Sequence, residues 1–575
     1  MPSDDRHASE EGDDSVVRPE LDTAIAELRA RKRAWSQMSA AERLPYLRDL
    51  RRGFHRTAEG LVQAAAAAQG IPIDDPRAGE LWIGGPFITL RWARLAIESL
   101  QQIERYGTVR LKPSQLRQRP DGQVVVRVFP AGGLDRVVFS GFTADVWLQP
   151  GIRLDQAADL IAVHYKTPDE DGTVILVLGA GNVSSIAPLD VAYKLFGEGK
   201  VVLLKLNPVN DYLRPLLEDI FSTLIADGFV RIVSGDAAVG DYLCTHPGIE
   251  EIHITGSEQT HDAIVWGTGQ EAVDRRTRNR PRLNKLISSE LGNVSPVVVV
   301  PGKWSPRELE FHAENLATQM TQNGGFNCNA AKVIVTHKAW AQRAEFLDRL
   351  KRVLGALPPR SAYYPGAAHR YDRFLAAYPH AESFGPNADG CLQPALAVGV
   401  SPEDSNSLAF TTESFCAFTV ETAIDAPEAD AFLRRAVEFC NGTLHGTLNA
   451  GLIVDPETER RMRGPLDTAV ADLRYGSVAI NHWPAMAYAF GSTPWGGYPG
   501  HDRSDIQSGS GFVHNALFLD RPQKSVARGP FRVVPRPPWF VTHRKAHAVG
   551  QWLVELEAKP SMGRMTGLFA AALRG

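Results

Sequence analysis

The stretch Gln322-Asn-Gly-Gly-Phe-Asn-Cys328 combines residue types that nucleophilic chemistry needs. A cysteine thiolate is the strongest nucleophile a protein makes near neutral pH, provided that its pKa is lowered or that a base lies nearby. The two glycines and two asparagines before it leave backbone amides free to donate to negative charge on a substrate oxygen. A lone cysteine is more often a small buried apolar residue, so this interpretation depends on motifs elsewhere in the chain.

Two further motifs carry a polar side chain next to a strand-like run. Asn182 lies in Gly179-Ala-Gly-Asn-Val-Ser184, between a predicted strand and a predicted helix. The match to a dinucleotide fingerprint is weak, because serine replaces the third glycine and no acid ends the next strand. A side-chain amide at a strand end can instead donate to an oxyanion. Glu290 precedes a glycine and an apolar strand, where a carboxylate acts as a general base or is simply solvated.

The segment Glu413-Ser-Phe415 pairs an acid with an aromatic ring. The acid has the chemistry to hydrogen-bond a ribose, and the ring has the shape to flank a planar group. By itself the pattern does not establish a binding site.

Composition limits the classes of function. The chain has 575 residues, enough for two or three domains, with 44% hydrophobic and 22% charged residues and a net charge of -4. That balance gives no electrostatic argument for a nucleic-acid partner. The five cysteines are scattered, without a C-x-x-C pair, which argues against disulfides and structural zinc and for a reducing compartment. No apolar run reaches about 18 residues, so we predict no membrane span and a cytoplasmic protein.

The order of helices and strands predicts an α/β fold. Ser39-Ala-Ala-Glu42 is a capping box that opens a helix. From residue 173 onward, apolar strand runs alternate with helical segments, which indicates parallel sheets covered by helices. Residues 123–149 contain two strand-like runs around Pro130-Ala-Gly-Gly and predict a hairpin, either an edge of the main sheet or an arm to another subunit.

Taken together, the motifs resemble the aldehyde dehydrogenases as a divergent member of that superfamily. The resemblance covers roughly residues 20–520 and lies in the order of the motifs. In chain order they are Lys205 at a strand end, Val233-Ser-Gly235, Ile254-Thr-Gly256-Ser257, Glu290-Leu-Gly292, Asn323-Gly-Gly-Phe-Asn-Cys328, Glu413-Ser-Phe415 and Trp495-Gly-Gly497.

The resemblance implies a role for each matched residue. Cys328 adds to an aldehyde, Asn182 contributes to the oxyanion hole, and Glu290 activates the water that hydrolyses the thioester. The cofactor-binding residues it implies are Lys205, Gly235, Gly256, Ser257, Glu413 and Phe415, and it implies no metal ligand. It also implies NAD or NADP as cofactor, with NADP at least as well suited, because Pro208 replaces the family's usual ribose-binding glutamate.

The implied fold is aldehyde-dehydrogenase-like, with two parallel-sheet α/β domains and a β-hairpin oligomerisation arm. Strand addition between subunits would make a homodimer or homotetramer. The predicted units are a disordered leader (1–18), a cofactor-binding domain (19–285) interrupted by the hairpin arm (123–149), a catalytic domain (286–508), an oligomerisation strand (509–520) and a C-terminal extension (521–575). The resemblance does not reach the extension. Two alternatives stay open for it: it covers a subunit surface, or it covers the mouth of the substrate site.

Three hypotheses follow. The first is NAD(P)-dependent oxidation of an aldehyde to a carboxylic acid. The second is a CoA-acylating aldehyde dehydrogenase or acyl-CoA reductase, favoured by Ala180-Gly181 in place of the family's Pro-Trp and disfavoured by the retained Glu290. The third is a non-catalytic scaffold or binding protein, which the intact Cys328 and Glu290 disfavour.

Overall fold

The structure is a computed structural model and describes residues 14–575. The predicted leader therefore lies outside the described residues, except for residues 14–18, which belong to the first helix. None of the helices within residues 14–575 combines the length and the apolar character needed to cross a membrane.

The described strands, in chain order, are β1 (Leu116–Gln118), β2 (Val124–Phe129), β3 (Thr143–Leu148), β4 (Val174–Leu178), β5 (Val201–Lys205), β6 (Val230–Val233), β7 (Glu251–Thr255), β8 (Leu286–Glu290), β9 (Pro296–Val299), β10 (Val333–His337), β11 (Arg360–Ser361), β12 (Glu382–Ser383), β13 (Cys391–Leu392), β14 (Ala395–Val398), β15 (Phe418–Ile424), β16 (Asn449–Ile453), β17 (Ser477–Ile480) and β18 (Pro522–Arg528).

The described α-helices are α1 (Asp14–Gln37), α2 (Ala40–Gln69), α3 (Ala78–Trp82), α4 (Ile88–Tyr106), α5 (Gly133–Val138), α6 (Val163–Lys166), α7 (Ile186–Phe196), α8 (Arg214–Ile220), α9 (Ser222–Ala226), α10 (Ala237–Thr245), α11 (Glu258–Trp266), α12 (Gly269–Thr277), α13 (Pro306–Thr321), α14 (Arg343–Gly355), α15 (Ala367–Ala377), α16 (Leu408–Thr411), α17 (Ala429–Gly442), α18 (Pro456–Arg461), α19 (Arg463–Asp472), α20 (Ala485–Ala489), α21 (Ala546–Ala558) and α22 (Met562–Ala572).

The capping box predicted at Ser39 is present at the start of α2. The Ser39 amide donates to the Glu42 carboxylate at 2.8 Å, and the Glu42 amide donates back to the Ser39 hydroxyl at 3.3 Å. Gly70 ends the helix with a φ of +65°, a conformation that glycine adopts without strain.

The first sheet is fully parallel and has the order β6-β5-β4-β7-β8. Strands β4 and β5 are buried along nearly their whole length, as the continuous apolar runs predicted. Because β8 pairs with β7, the sheet continues to Glu290, and its last strand lies beyond the predicted domain boundary at 285.

The second sheet has eleven strands in the order β1-β2-β3-β18-β17-β16-β9-β10-β15-β14-β12. Its central strands, from β18 to β14, are parallel, whereas β1, β2 and β3 at one edge and β12 at the other are antiparallel to their neighbours. The second domain is therefore built on a mixed sheet around a parallel centre.

The predicted hairpin forms an edge of this same sheet. Strands β2 and β3 are antiparallel, a short helix α5 separates them, and β3 pairs with β18 of the same chain. The pairing expected with a neighbouring subunit is thus made within the chain, so these strands supply no argument for an oligomer, and a homodimer or homotetramer stays a prediction.

An oligomerisation strand was predicted at 509–520, whereas the described strand nearest to this range is β18, at 522–528, so oligomerisation through 509–520 stays a prediction. Residues 509–520 instead form a winding connection with left-handed φ values at Gly509, Gly511, His514 and Phe518. The connection begins beside β8, where the Ser289 amide donates to the Ser510 carbonyl at 2.8 Å. An irregular backbone of this kind cannot continue a β ladder.

The C-terminal extension is fastened to the helical layer by a buried charge cluster. Arg91 on α4 donates to Asp135 at 2.8 Å and to Glu557 on α21 at 2.9 Å, and Arg94 donates to Glu557 at 2.6 Å. Arg91, Asp135 and Glu557 are almost inaccessible to solvent. Removing one member of such a cluster leaves the others buried without full compensation.

We predict that Glu557→Gln lowers the free energy of unfolding by about 3 kcal/mol, because it leaves Arg91 and Arg94 short of a buried carboxylate. The control Glu98→Gln removes a half-exposed partner of Arg94 and is expected to cost less than about 1 kcal/mol. Urea unfolding followed by tryptophan fluorescence measures both. Equal shifts in the two variants would contradict the role assigned to the cluster.

Candidate active site

Two cavities meet at one place in the described structure. One, of about 410 Å³, is lined mainly by apolar side chains, and the other, of about 1040 Å³, is more polar. We call them the apolar cavity and the polar cavity. Four residues line both: Asn182, Ile186, Glu290 and Cys328. The three residues predicted to be catalytic, Cys328, Glu290 and Asn182, thus lie together at the junction of the cavities.

Cys328 lies between α13 and β10, at the end of a tightly folded turn. Its backbone carbonyl accepts hydrogen bonds from the Ser295 hydroxyl at 3.2 Å and from the Asn449 side chain at 3.1 Å. Burial raises the pKa of the Cys328 thiol well above its usual value, and the neighbouring Glu290 raises it further. The resting group is therefore a neutral thiol, which needs a base before it can react.

The turn before Cys328 explains its two glycines. Asn323, Gly324 and Gly325 have consecutive left-handed φ values of 55°, 65° and 77°. A Cβ on Gly325 would lie 2.5 Å from the backbone nitrogen of Ala417, so only glycine fits. The Lys332 ammonium joins the same two segments by donating to the Gly325 carbonyl at 3.1 Å and the Cys416 carbonyl at 2.7 Å. Sequence reasoning missed Lys332, because nothing in its local pattern marks it.

Glu290 ends β8 and is 3% exposed. Burial raises the pKa of its carboxyl to about 7, although interactions with the Trp495 indole and the Cys328 thiol oppose the rise. Within residues 14–575 its Oε2 has no hydrogen-bond partner. A buried carboxylate oxygen without a partner is costly, and it is available to a proton from a thiol or from water.

Asn182 follows β4 and is bound to the turn that carries the cysteine. Its side-chain nitrogen donates to the Phe326 carbonyl at 2.9 Å, and its own carbonyl accepts from the Asn323 side chain at 3.0 Å. A side-chain amide has two N–H donors. The described residues engage one of them, which leaves the second for a ligand.

The polar cavity is lined by five of the six residues predicted to bind a cofactor. They are Lys205, Gly256, Ser257, Glu413 and Phe415. Ser257 caps α11, accepting from the Thr260 amide at 3.1 Å, so the first amides of a nine-residue helix face this region.

Gly235 is the exception, since it does not line either cavity. Its φ is +145°, and a Cβ there would come within 2.7 Å of the Val239 side chain. Its place in the fold is the turn that brings in Asp236, which lines the polar cavity and caps α10 through the amides of Ala238 and Val239. The turn by itself is enough to require this glycine.

At the other end of the polar cavity lie Glu413 and Phe415. Burial raises the pKa of the Glu413 carboxyl to about 7, against the opposing effects of Lys332, His445 and Arg370. Its Oε1 has no partner within the described chain, and a Cβ on Gly292 would overlap its Oε2 at 2.2 Å. Phe415 has a left-handed φ of 41° and packs edge-on against Tyr364 with ring centroids 5.0 Å apart.

A dinucleotide fits these features. The cavity has the volume for a large ligand, a lysine at one end, a helix N-terminus along its wall and an acid with an unpartnered oxygen at the other end. Pro208 lines the same cavity near Lys205. Burial lowers the pKa of Lys205, and Asp236 and Asp211 oppose that effect.

Comparison with known proteins agrees with this geometry. Residues 197–363 match the model of the "Aldehyde dehydrogenase family". Among curated proteins, aldehyde dehydrogenase LUC3 of a Fusarium species is 28% identical over 171 residues, which cover 26% of this chain and 36% of that protein.

Solved structures extend the likeness over most of the chain. An NADP-dependent glyceraldehyde-3-phosphate dehydrogenase from Bacillus halodurans, complexed with NADP, superposes with a TM-score of 0.59 at 16% identity, covering 89% of this chain and 91% of that one. A betaine aldehyde dehydrogenase variant from Staphylococcus aureus, in complex with NAD+, gives a TM-score of 0.60 at 14% identity, covering 90% and 91%. The resemblance that the motifs indicated is confirmed, and the chain has the aldehyde dehydrogenase fold.

Proposed function

We propose that the protein is an NAD(P)-dependent aldehyde dehydrogenase that oxidises an aldehyde to a carboxylic acid. The observation that carries the proposal is the meeting of Cys328, Glu290 and Asn182 where the apolar and polar cavities join. A substrate in one cavity and a cofactor in the other would reach the same thiol.

The first step is addition of the Cys328 sulfur to the aldehyde carbon. Glu290 takes the thiol proton, since its carboxyl titrates near neutral pH and lies beside the sulfur. The free N–H of the Asn182 side chain donates to the carbonyl oxygen as it gains negative charge. The product of this step is a thiohemiacetal whose oxygen carries the negative charge, and protonated Glu290 then releases the thiol proton to solvent and is again a base.

NAD or NADP, held by Lys205, Ser257 and Glu413, supplies the two-electron acceptor when bound. Loss of two electrons and a proton from the thiohemiacetal leaves a thioester on Cys328. Glu290 then removes a proton from water, the water oxygen bonds to the acyl carbon, and the carbon–sulfur bond breaks to release the acid and the thiol. Overall, aldehyde, oxidised cofactor and water give acid, reduced cofactor and a proton.

Transfer of the thioester to coenzyme A is the alternative. It needs no base for water, whereas Glu290 is buried against the thiol with an unpartnered oxygen. That arrangement favours hydrolysis. The same convergence of groups disfavours a non-catalytic scaffold.

We predict that Cys328→Ala lowers turnover at least about 1,000-fold, because no other group can hold the acyl intermediate. The measurement is formation of reduced cofactor from an aldehyde panel, with and without coenzyme A. Cys391→Ala, a cysteine outside both cavities, serves as the control and should keep its activity. If turnover requires coenzyme A, the acyl group is transferred to coenzyme A rather than hydrolysed.

The pH dependence follows from the raised pKa of Glu290. A base must be deprotonated, so kcat is expected to rise with pH through about 7 and to fall about tenfold for each pH unit below that value. Glu413 titrates in the same range, and Glu413→Gln separates the two groups. That variant should keep the acidic limb and raise the KM for the cofactor. If kcat of Glu413→Gln no longer fell below pH 7, the general base would not be Glu290.

Pro208 gives a test of cofactor choice. A carboxylate at this position would repel a 2′-phosphate, so Pro208→Glu is expected to reduce kcat/KM for NADP at least about tenfold relative to NAD. Pro208→Gln has nearly the same size without the charge and controls for shape. If the wild type rejects NADP already, Pro208 does not determine the choice.

A further inference from the structure

The C-terminal extension forms the outer wall of the apolar cavity. Its contribution comes from the segment after β18 and from α21 and α22, including Val533, Trp539, Val549, Leu553, Leu568 and Phe569. The facing wall is also apolar, with Phe87, Phe139 and Met486 among its residues. The motifs that resemble the aldehyde dehydrogenases end before this part of the chain.

Charged groups along the cavity are already engaged or lie at its mouth. Glu80 is paired with Arg360, and Arg536 is paired with Glu314 at 2.8 Å. Arg532 is exposed, and the only other charged residue of the lining is Glu290. Among the described lining residues, therefore, the only unpaired charge inside the cavity is that of the Glu290 carboxylate, which would repel an anionic substrate tail, and burying a charged tail without a partner would be costly.

The mouth of the cavity has exposed apolar side chains. Val137 is 47% exposed, Val534 is 71% exposed and Phe569 is 39% exposed, and all three belong to the lining. Such a rim suits an apolar chain that enters from outside and extends inward, because each methylene leaves water as it passes.

The wall is fastened to the helix that precedes the nucleophile. The Trp539 carbonyl accepts from the Gln322 side chain at 3.2 Å, the Val541 amide donates to the Thr318 hydroxyl at 3.1 Å, and the Thr542 hydroxyl donates to Glu314 at 2.8 Å. Thr318 and Glu314 lie on α13, and Gln322 directly follows it. The extension is thus positioned by the same element that presents Cys328.

We propose that the C-terminal extension makes the apolar cavity a site for an uncharged aldehyde with a long unbranched hydrocarbon chain, and that α22 limits the chain length it accepts. The inference rests on the proposed aldehyde oxidation for its reaction. It goes beyond that proposal in naming the substrate class and the part of the chain that selects it.

The first test is a homologous series of straight-chain aldehydes from propanal to dodecanal. For the wild type, kcat/KM should rise about fourfold with each methylene that the cavity buries and then level off. Ala572→Trp fills the cavity from α22 and should lower the decanal-to-propanal ratio of kcat/KM at least about tenfold. Ala570→Trp, on the same helix but exposed and outside the lining, is the matched control and should leave the ratio unchanged.

A second variant covers the case in which Ala572→Trp misfolds. Val534→Asp changes an exposed residue of the mouth, so the fold is not at risk, and its carboxylate should lower the same ratio several-fold. Equal kcat/KM across the series, or a ratio that neither variant changes, would overturn the inference while leaving aldehyde oxidation intact.

A binding measurement separates this inference from the reaction itself. Titration calorimetry of Cys328→Ala with 1-decanol and ethanol needs no turnover, and 1-decanol should bind much more tightly. Ala572→Trp in the same background should abolish that preference. If no aldehyde is oxidised but 1-decanol binds in this way, the proposed function fails and the assigned ligand class stands. If aldehydes are oxidised and 1-decanol does not bind, the ligand class is wrong.

Discussion

A half-buried thiol and a buried carboxyl group lie side by side where the two cavities join, and the candidate active site depends on holding them there. Burial raises the pKa of both groups, that of Glu290 to about 7 and that of Cys328 well above its usual value. Near neutral pH the Cys328 group is a neutral thiol while a large share of Glu290 is ionised, so the carboxylate is placed to accept the thiol proton. This arrangement leaves one buried oxygen of Glu290 without a hydrogen-bond partner among the described residues, which is energetically unfavourable.

Residues from both domains position Glu290 and Cys328. Asn182 and Glu290 come from the carboxyl ends of β4 and β8 in the parallel sheet, where open α/β folds place their ligand sites. Cys328 comes from the turn before β10 in the second sheet, and its turn is bound to Asn182 across the interface. Lys332 fixes the same turn to the segment after Phe415. Because α13 also holds the C-terminal extension, the thiol and the outer wall of the apolar cavity share one support.

Much of the fold and of the candidate site could be predicted from local sequence patterns. The apolar runs of β4 and β5, the capping box of α2 and the order of the motifs were enough to predict the fold and to select eight candidate residues that line the cavities. Gly235 lies in a turn and lines neither cavity, and a glycine needed by a turn looks the same in sequence as one that approaches a ligand. The strand at 522–528 was missed because Lys524 and Arg528 interrupt its apolar pattern. The wall formed by α21 and α22 could not be predicted, because it depends on contacts between residues some 460 positions apart, such as Arg91 with Glu557, which no local pattern reports.

The central claim is that the acyl group rests on Cys328 and leaves only when Glu290 activates water. The most direct measurement is the mass of Glu290→Gln after incubation with decanal and oxidised cofactor, followed by peptide mapping. The account predicts one stable acyl adduct on the peptide that contains Cys328, formed together with one equivalent of reduced cofactor, and no such adduct persisting in the wild type. Continued turnover by Glu290→Gln without an adduct would contradict it.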